Sequence, residues 1–164
     1  MPKLMADRML KGLALRLRLI GYDCADAPQE VRSAVAVLKA ARAEGRLLVT
    51  SKRQWLDLKR DDDLIIVPPE GLAKQVKAVI AREPIDFERD AFSRCSIDNT
   101  PLASLPFQQI ESQLPPLVRE MCPAISRCPQ CHRLYWRGTH TARIWRELML
   151  WCKEVAQPCK DDYL

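Results

Sequence analysis

The chain opens on a short apolar run, residues 3–7, that ends on a carboxylate, Asp7. It reads as a buried strand carrying Asp7 to its C-terminal tip. Leu10, Leu13, Leu17 and Ile20 then recur at spacings of three and four, the period of an amphipathic helix, and Gly21 stands where a helix C-cap belongs. Residues 23–27 predict a short second strand. Pro28 precedes a second predicted helix over residues 29–44, with Val31, Val35, Leu38 and Ala41 on one face and Gly45 at its end. The apolar run 46–50 predicts a strand ending at Thr50. A short helix over 52–59 follows, then the acidic turn Asp61, Asp62, Asp63. Residues 64–67 form another apolar strand, stopped by Pro68 and Pro69, and residues 70–82 a helix with Leu72, Val76, Val79 and Ile80 inward. Strand and helix in alternation imply an α/β fold, a parallel sheet flanked by helices. Ligands of such sheets bind beyond the C-terminal strand ends, where Asp7 and Thr50 are both expected. No glycine-rich phosphate loop follows either strand, which argues against a dinucleotide or P-loop site.

The alternation stops around residues 83–90. The remainder is punctuated by Pro101, Pro106, Pro115, Pro116 and Pro123, holds the clustered cysteines, and closes on a predicted helix over 139–155 bearing Ile144, Leu148 and Trp151. Two units are therefore expected: an α/β domain over residues 1–85 and a small cysteine-bearing module with its closing helix over 90–164. No internal repeat or low-complexity tract is present.

Composition narrows the class. The 164 residues are 48% hydrophobic and 29% charged, enough to build a globular core. No run of 18 apolar residues exists, so no membrane association is expected. Lys11, Arg16 and Arg18 interrupt the first helix, which argues against a secretory signal. Seven cysteines, an odd number, suit a reducing compartment better than a disulfide framework, and a cytoplasmic location is expected. The net charge is +5, but the excess is concentrated: residues 1–60 hold 13 Lys/Arg against 6 Asp/Glu. Such an excess can attract a phosphate backbone, although many basic helices simply face water.

Three groups of residues could carry chemistry. Cys128 and Cys131, at C-x-x-C spacing, can wrap one tetrahedral metal, zinc being the usual occupant. Four ligands are needed, and upstream Cys95 with Asp98 offers a C-x-x-D half-site; Cys122, His132 and His140 are substitutes, and an empty site is the alternative. Asp7 at a strand tip can hold a hard cation such as Mg²⁺ or Mn²⁺, or it can serve as a helix N-cap. One Asp does not make a two-metal site. Asp23, Glu30 and Glu44 are the other acids nearby in sequence, with Glu30 the best second acid, on a helix expected to start near the strand tips. Trp136 and Arg137, followed by His140, can stack on a base and pair with phosphate, although a Trp there also serves as the plug of a small ribbon.

The segments MADRMLKGLALRLRLIGYD (5–23), EGRLLVTS (44–51), FSRC (92–95) with Asn99, Pro101 and Leu102, and RCPQCHRLYWRGTH (127–140) occur in that order. Together they resemble the RNase domain found at the C-terminus of the Mut-seven exonucleases and as free-standing bacterial proteins. The resemblance spans roughly residues 3–150. It implies a PIN-like fold with a zinc ribbon and metal-dependent cleavage of RNA, with Asp7 matching the first catalytic aspartate. Two departures stand out. Many family members follow the third strand with Thr-Arg-Asp, whose Asp completes the acidic site; here the run is Thr50, Ser51, Lys52. The ribbon's first C-x-x-C has become Cys95 to Asp98. Lys52 and Arg53 are accordingly expected to hold phosphate, as are Arg137 and His140. The leading expectation is a ribonuclease acting on RNA; the alternative is an RNA- or protein-binding module that keeps the fold without the chemistry.

Overall fold

The structure, a computed structural model, describes residues 3–52, 63–121 and 124–156. Four strands, β1 (Lys3–Ala6), β2 (Asp23–Asp26), β3 (Leu47–Thr50) and β4 (Leu64–Ile66), form one parallel sheet in the order β2-β1-β3-β4. From β1 the chain crosses to β2 on one side, then passes back to β3 on the other. The reversal opens a crevice between the C-terminal ends of β1 and β3, the place where α/β sheets put their ligands.

Strand alternation sorts the core into two layers. Leu4, Ala6, Val49 and Ile65 face one side, where they pack with α1 (Lys11–Leu19) and α3 (Leu72–Arg82). Met5, Leu48 and Leu64 face the other, against Val37, Leu38 and Ala41 of α2 (Ala34–Ala43). All four periodic positions of the first helical segment, Leu10, Leu13, Leu17 and Ile20, are buried. Gly21 has φ +108°, and a Cβ there would lie 2.4 Å from the Asp90 carbonyl oxygen. Only glycine allows that turn.

The second helix departs from the prediction. It starts at Ala34 rather than residue 29, because Ser33 caps it: the Ala36 N–H donates to Ser33 Oγ at 3.2 Å. The buried face becomes Val37, Leu38 and Ala41, while Val35, expected inward, is exposed. Glu30 consequently lies in a turn before the helix, with its side chain exposed, and not on the helix itself. Of the predicted helix over 52–59 only Lys52 is described, and the acids Asp61 and Asp62 fall outside the described residues. Asp63 sits in a turn at the opposite end of the sheet from Asp7, paired with Arg42.

After a one-turn helix α4 (Phe87–Asp90), three antiparallel strands, β5 (Ala103–Leu105), β6 (Ile125–Arg127) and β7 (Leu134–Trp136), make a second small sheet. Between them runs α5 (Pro116–Met121). Ile110, Leu114 and Ile125 form its own core, against which Leu134 and Trp136 pack. The closing helix α6 (Thr139–Ala156) does not stay with this ribbon. Its Leu148 and Cys152 are buried in the same layer as α1 and α3. No helix among the described residues is long and apolar enough to cross a membrane.

The outer edge of β2 is covered rather than bare, as an edge strand requires. Arg18, 3% exposed, donates to the carbonyl of Cys24 at 2.7 Å and to those of Ser96 (3.1 Å) and Ile97 (2.7 Å), and pairs with Asp26 at 2.8 Å. Asn99 Oδ1 accepts the Cys24 N–H at 3.0 Å, and Asn99 Nδ2 donates to Asp23 at 2.7 Å. Asp23 opens β2, so it lies at the end of the sheet away from Asp7 and joins a structural network with Arg46 and Arg94. Burial would raise its carboxyl pKa, but hydrogen bonds from Arg46 and Asn99 and the charge of Arg94 outweigh that and hold it below the usual carboxylate value. A depressed folded-state pKa contributes stability that is present above the unfolded value, about 3.9, and is lost as pH falls through the folded value. Asp23→Asn is therefore expected to cost about 2 kcal/mol at pH 7, seen as a Tm lower by several degrees. The loss should narrow below about pH 4, and a thermal-melt series from pH 7 to 3 checks it.

Candidate functional site

Asp7 follows β1 directly. Its backbone N–H still donates to the Val49 carbonyl at 2.9 Å, and its own carbonyl accepts the Leu10 N–H at 2.7 Å. Those two bonds fix the carboxylate at the crevice between β1 and β3. Its side chain makes no helix-capping hydrogen bond. Instead Thr50 Oγ1 donates to Asp7 Oδ2 at 3.0 Å, and Lys52 Nζ lies 3.0 Å from the same oxygen. The Asp7 side chain is 7% exposed and that of Lys52 33%, so the pair closes the inner end of a recess open to solvent. Arg8, Lys11 and Arg32 line the same recess, a cavity of about 390 Å³. Asp7 is the one carboxylate among its described lining residues. Val31 and Arg32 line it, but Glu30, the residue just before them, does not. Arg53 lies outside the described residues. The sequence did not single out Arg8, Lys11 and Arg32, since a cation in an amphipathic segment carries no mark of its own.

The second constellation is on the ribbon. Cys95, Asp98, Cys128 and Cys131 place one ligand atom each within 4.8 Å of one another. Two equivalent turns bring them there. In one, the Asn99 N–H donates to the Cys95 carbonyl at 3.0 Å and Asn99 has φ 69°; in the other, the His132 N–H donates to the Cys128 carbonyl at 3.0 Å and His132 has φ 59°. C-S-I-D thus folds as C-P-Q-C does, with Asp98 at the place that Cys131 holds. The edge of a zinc tetrahedron built on Zn–S bonds of 2.3 Å is about 3.8 Å. The Cys95 and Cys131 sulfurs are 3.6 Å apart, and Cys128 Sγ lies 3.2 Å from Asp98 Oδ2. Three sulfurs and a carboxylate oxygen at this spacing could hold one metal ion, and the donor set fits zinc.

Neighbours tune the cluster. Burial acts to raise the Asp98 carboxyl pKa, but the Thr100 N–H, at 3.0 Å, and the Cys131 and Cys95 thiols hold it well below the usual range. The Arg133 backbone lowers the Cys131 thiol, yet the Asp98 carboxylate, burial and the other thiols push it up to about 12. Tyr135 Oη is 3.0 Å from Cys95 Sγ, and burial with that contact raises the phenol to about 12. His132 is exposed and outside the cluster, Cys122 falls outside the described residues, and of His140 only the backbone, in the first turn of α6, is described. Trp136 packs against the ribbon core, and the Arg137 guanidinium lies 5.9 Å over the Phe92 ring.

The Mut7-C RNAse domain profile matches residues 2–148, from the first strand to the middle of α6. The chain belongs to the Mut7-C RNAse domain family. No curated protein matches it. Family membership suggests RNA as the substrate, and the match covers both the strand-end recess and the cysteine cluster.

Proposed function

We propose that this Mut7-C RNAse domain is a PIN-like, metal-dependent ribonuclease of low turnover, whose Asp7 recess grips an RNA phosphate more readily than it cuts it. The observation that carries this reading is the 3.0 Å approach of Lys52 Nζ to Asp7 Oδ2. A Mg²⁺ or Mn²⁺ ion held by Asp7 would supply the charge stabilisation that phosphodiester hydrolysis needs. The described donor set suits one such ion and not a two-metal centre, and that ion competes with an ammonium already in place. Arg8, Lys11, Arg32 and Lys52 supply cations for the phosphate backbone, with Arg53, Arg137 and His140 as further contacts.

In this proposal residues 1–85 form the catalytic unit, and residues 90–164 form a zinc-ribbon module whose closing helix buttresses it. Zinc is structural, and thiol ligation of that kind suits the reducing cytoplasm. The same ion pair favours a second reading, a catalytically silent RNA-binding module. A metal-titrated cleavage assay on labelled single-stranded RNA separates the two. For the ribonuclease, Asp7→Asn and omission of Mg²⁺ and Mn²⁺ should each reduce cleavage at least 100-fold, because a hard-cation site with one carboxylate tolerates no loss. Wild type that binds RNA without cutting it at any metal concentration would establish the silent module.

A further inference from the structure

A larger cleft lies on the ribbon side of α1. It encloses about 710 Å³, within the roughly 300–1,000 Å³ of small-molecule and nucleotide sites. Phe92, Tyr135 and Trp136 contribute aromatic surface to its walls. Arg16, Arg94, Arg133 and Arg137 contribute charge, and no carboxylate is among the described residues that line it. Arg94 is engaged by Asp23 at 3.5 Å and by the Asn99 carbonyl at 2.9 Å. Arg16, Arg133 and Arg137 have no carboxylate partner among the described residues, and Arg16 Nε is buried with no hydrogen-bond acceptor.

A cleft with uncompensated guanidinium groups beside aromatic faces selects a ligand that is both anionic and planar. A metal cation is repelled, and a simple carboxylate would leave the aromatic walls unused. The position adds a further constraint. Lys11 lines the Asp7 recess and Leu15 lines the cleft. They stand four apart on one face of α1, about 6 Å along the helix. One flexible strand can therefore occupy both.

The geometry points to this cleft as a second RNA-binding subsite, which takes a nucleotide of the same single strand whose phosphate lies at Asp7. The inference rests on RNA being the ligand of the recess. It adds that affinity grows with strand length, because a short fragment fills one subsite and a longer one fills both.

Fluorescence anisotropy with labelled single-stranded RNA trimer and decamer tests it, on the full chain and without added Mg²⁺ or Mn²⁺. Wild type should bind the decamer at least tenfold more tightly than the trimer. The double variant Arg133→Ser/Arg137→Ser changes two exposed side chains and should keep its Tm. It should lose that tenfold gain, and its log–log salt slope for the decamer should fall by about 1.4, near 0.7 for each phosphate contact removed. A double variant that binds the decamer as wild type does would overturn the cleft while leaving RNA at the Asp7 recess intact. Wild type that binds neither RNA would remove the RNA reading, and the cleft with it. Displacement of the decamer by polyglutamate, with equal potency to unlabelled RNA, would assign the cleft to an acidic peptide and overturn the proposal.

Discussion

Lys52→Asp is expected to cut single-stranded RNA at least tenfold faster than wild type and to bind Mn²⁺ more tightly. In the wild type the ammonium lies 3.0 Å from the Asp7 carboxylate. At that distance, with an effective dielectric of about 20, the Coulomb attraction is roughly 5 kcal/mol before desolvation and screening are subtracted. The lysine is one-third exposed, so a large part of that attraction is screened. What remains still competes with a hard cation for Oδ2, and a positive charge next to the metal position opposes its entry. Aspartate at residue 52 removes the competitor and adds an oxygen ligand where two carboxylates can share an ion. Lys52→Ala separates these effects: it frees Asp7 without adding a ligand and should fall between the two. RNA binding should weaken in both variants, most in Lys52→Asp, because a phosphate contact is lost. Brisk cleavage by wild type with slower cleavage by Lys52→Asp would show that the lysine assists the chemistry.

The recess was legible in the sequence because two local signals fix it. Short apolar runs ending on Asp7 and Thr50 predict parallel strands, and parallel strands bring their C-terminal ends to one edge of the sheet, where the structure finds the two side chains 3.0 Å apart. The place of Lys52 follows from chain connectivity, two residues beyond that tip. Glu30 falls outside α2 for an equally local reason: the apolar periodicity runs back to residue 29, but the Ser33 cap starts α2 four residues beyond Glu30. The links among distant segments were not legible. Arg18 reads as a charge that interrupts an apolar helix, but it is buried, and its carbonyl partners Ser96 and Ile97 lie 78 and 79 residues away. Nothing in an 11-residue window marks that pairing. Asn99 likewise reads as a turn residue, yet its amide joins the Cys95–Asp98 turn to β2. The arginine cleft draws its charges from α1, the segment after α4 and the β7 hairpin, and becomes a patch only after folding.

Loss of the Cys128 thiol should have the largest effect on stability of any single change considered. Three sulfurs and a carboxylate converge at Cys95, Asp98, Cys128 and Cys131. Without a cation, three soft ligands and an anion held so closely gain little from one another. With zinc at their centre, the same spacing becomes four coordinate bonds. The cluster is also coupled to the sheet. Ser96 and Ile97, between two of its members, accept from Arg18, and Asn99, next to Asp98, caps β2 and holds Asp23. Metal loss would loosen that turn and expose the edge of β2, so the effect should reach beyond the ribbon. Structural zinc contributes about 10–16 kcal/mol of apparent binding free energy in zinc-finger peptides. Here backbone hydrogen bonds already shape both knuckles, and a carboxylate replaces one thiolate, so a smaller share is expected, about 3 kcal/mol or more. For a chain of this size that is a fall in Tm of roughly 6–12 °C. Metal analysis of purified wild type should find one zinc per chain, and Cys128→Ser should lose both the zinc and the stability. Asp98→Cys restores a thiolate on a turn that already has the knuckle geometry, and it should retain zinc against a chelator that strips wild type. Absence of zinc from wild type, with a Tm unchanged in Cys128→Ser, would make the cluster a hydrogen-bonded remnant and leave Arg18 and Asn99 to hold the sheet edge unaided.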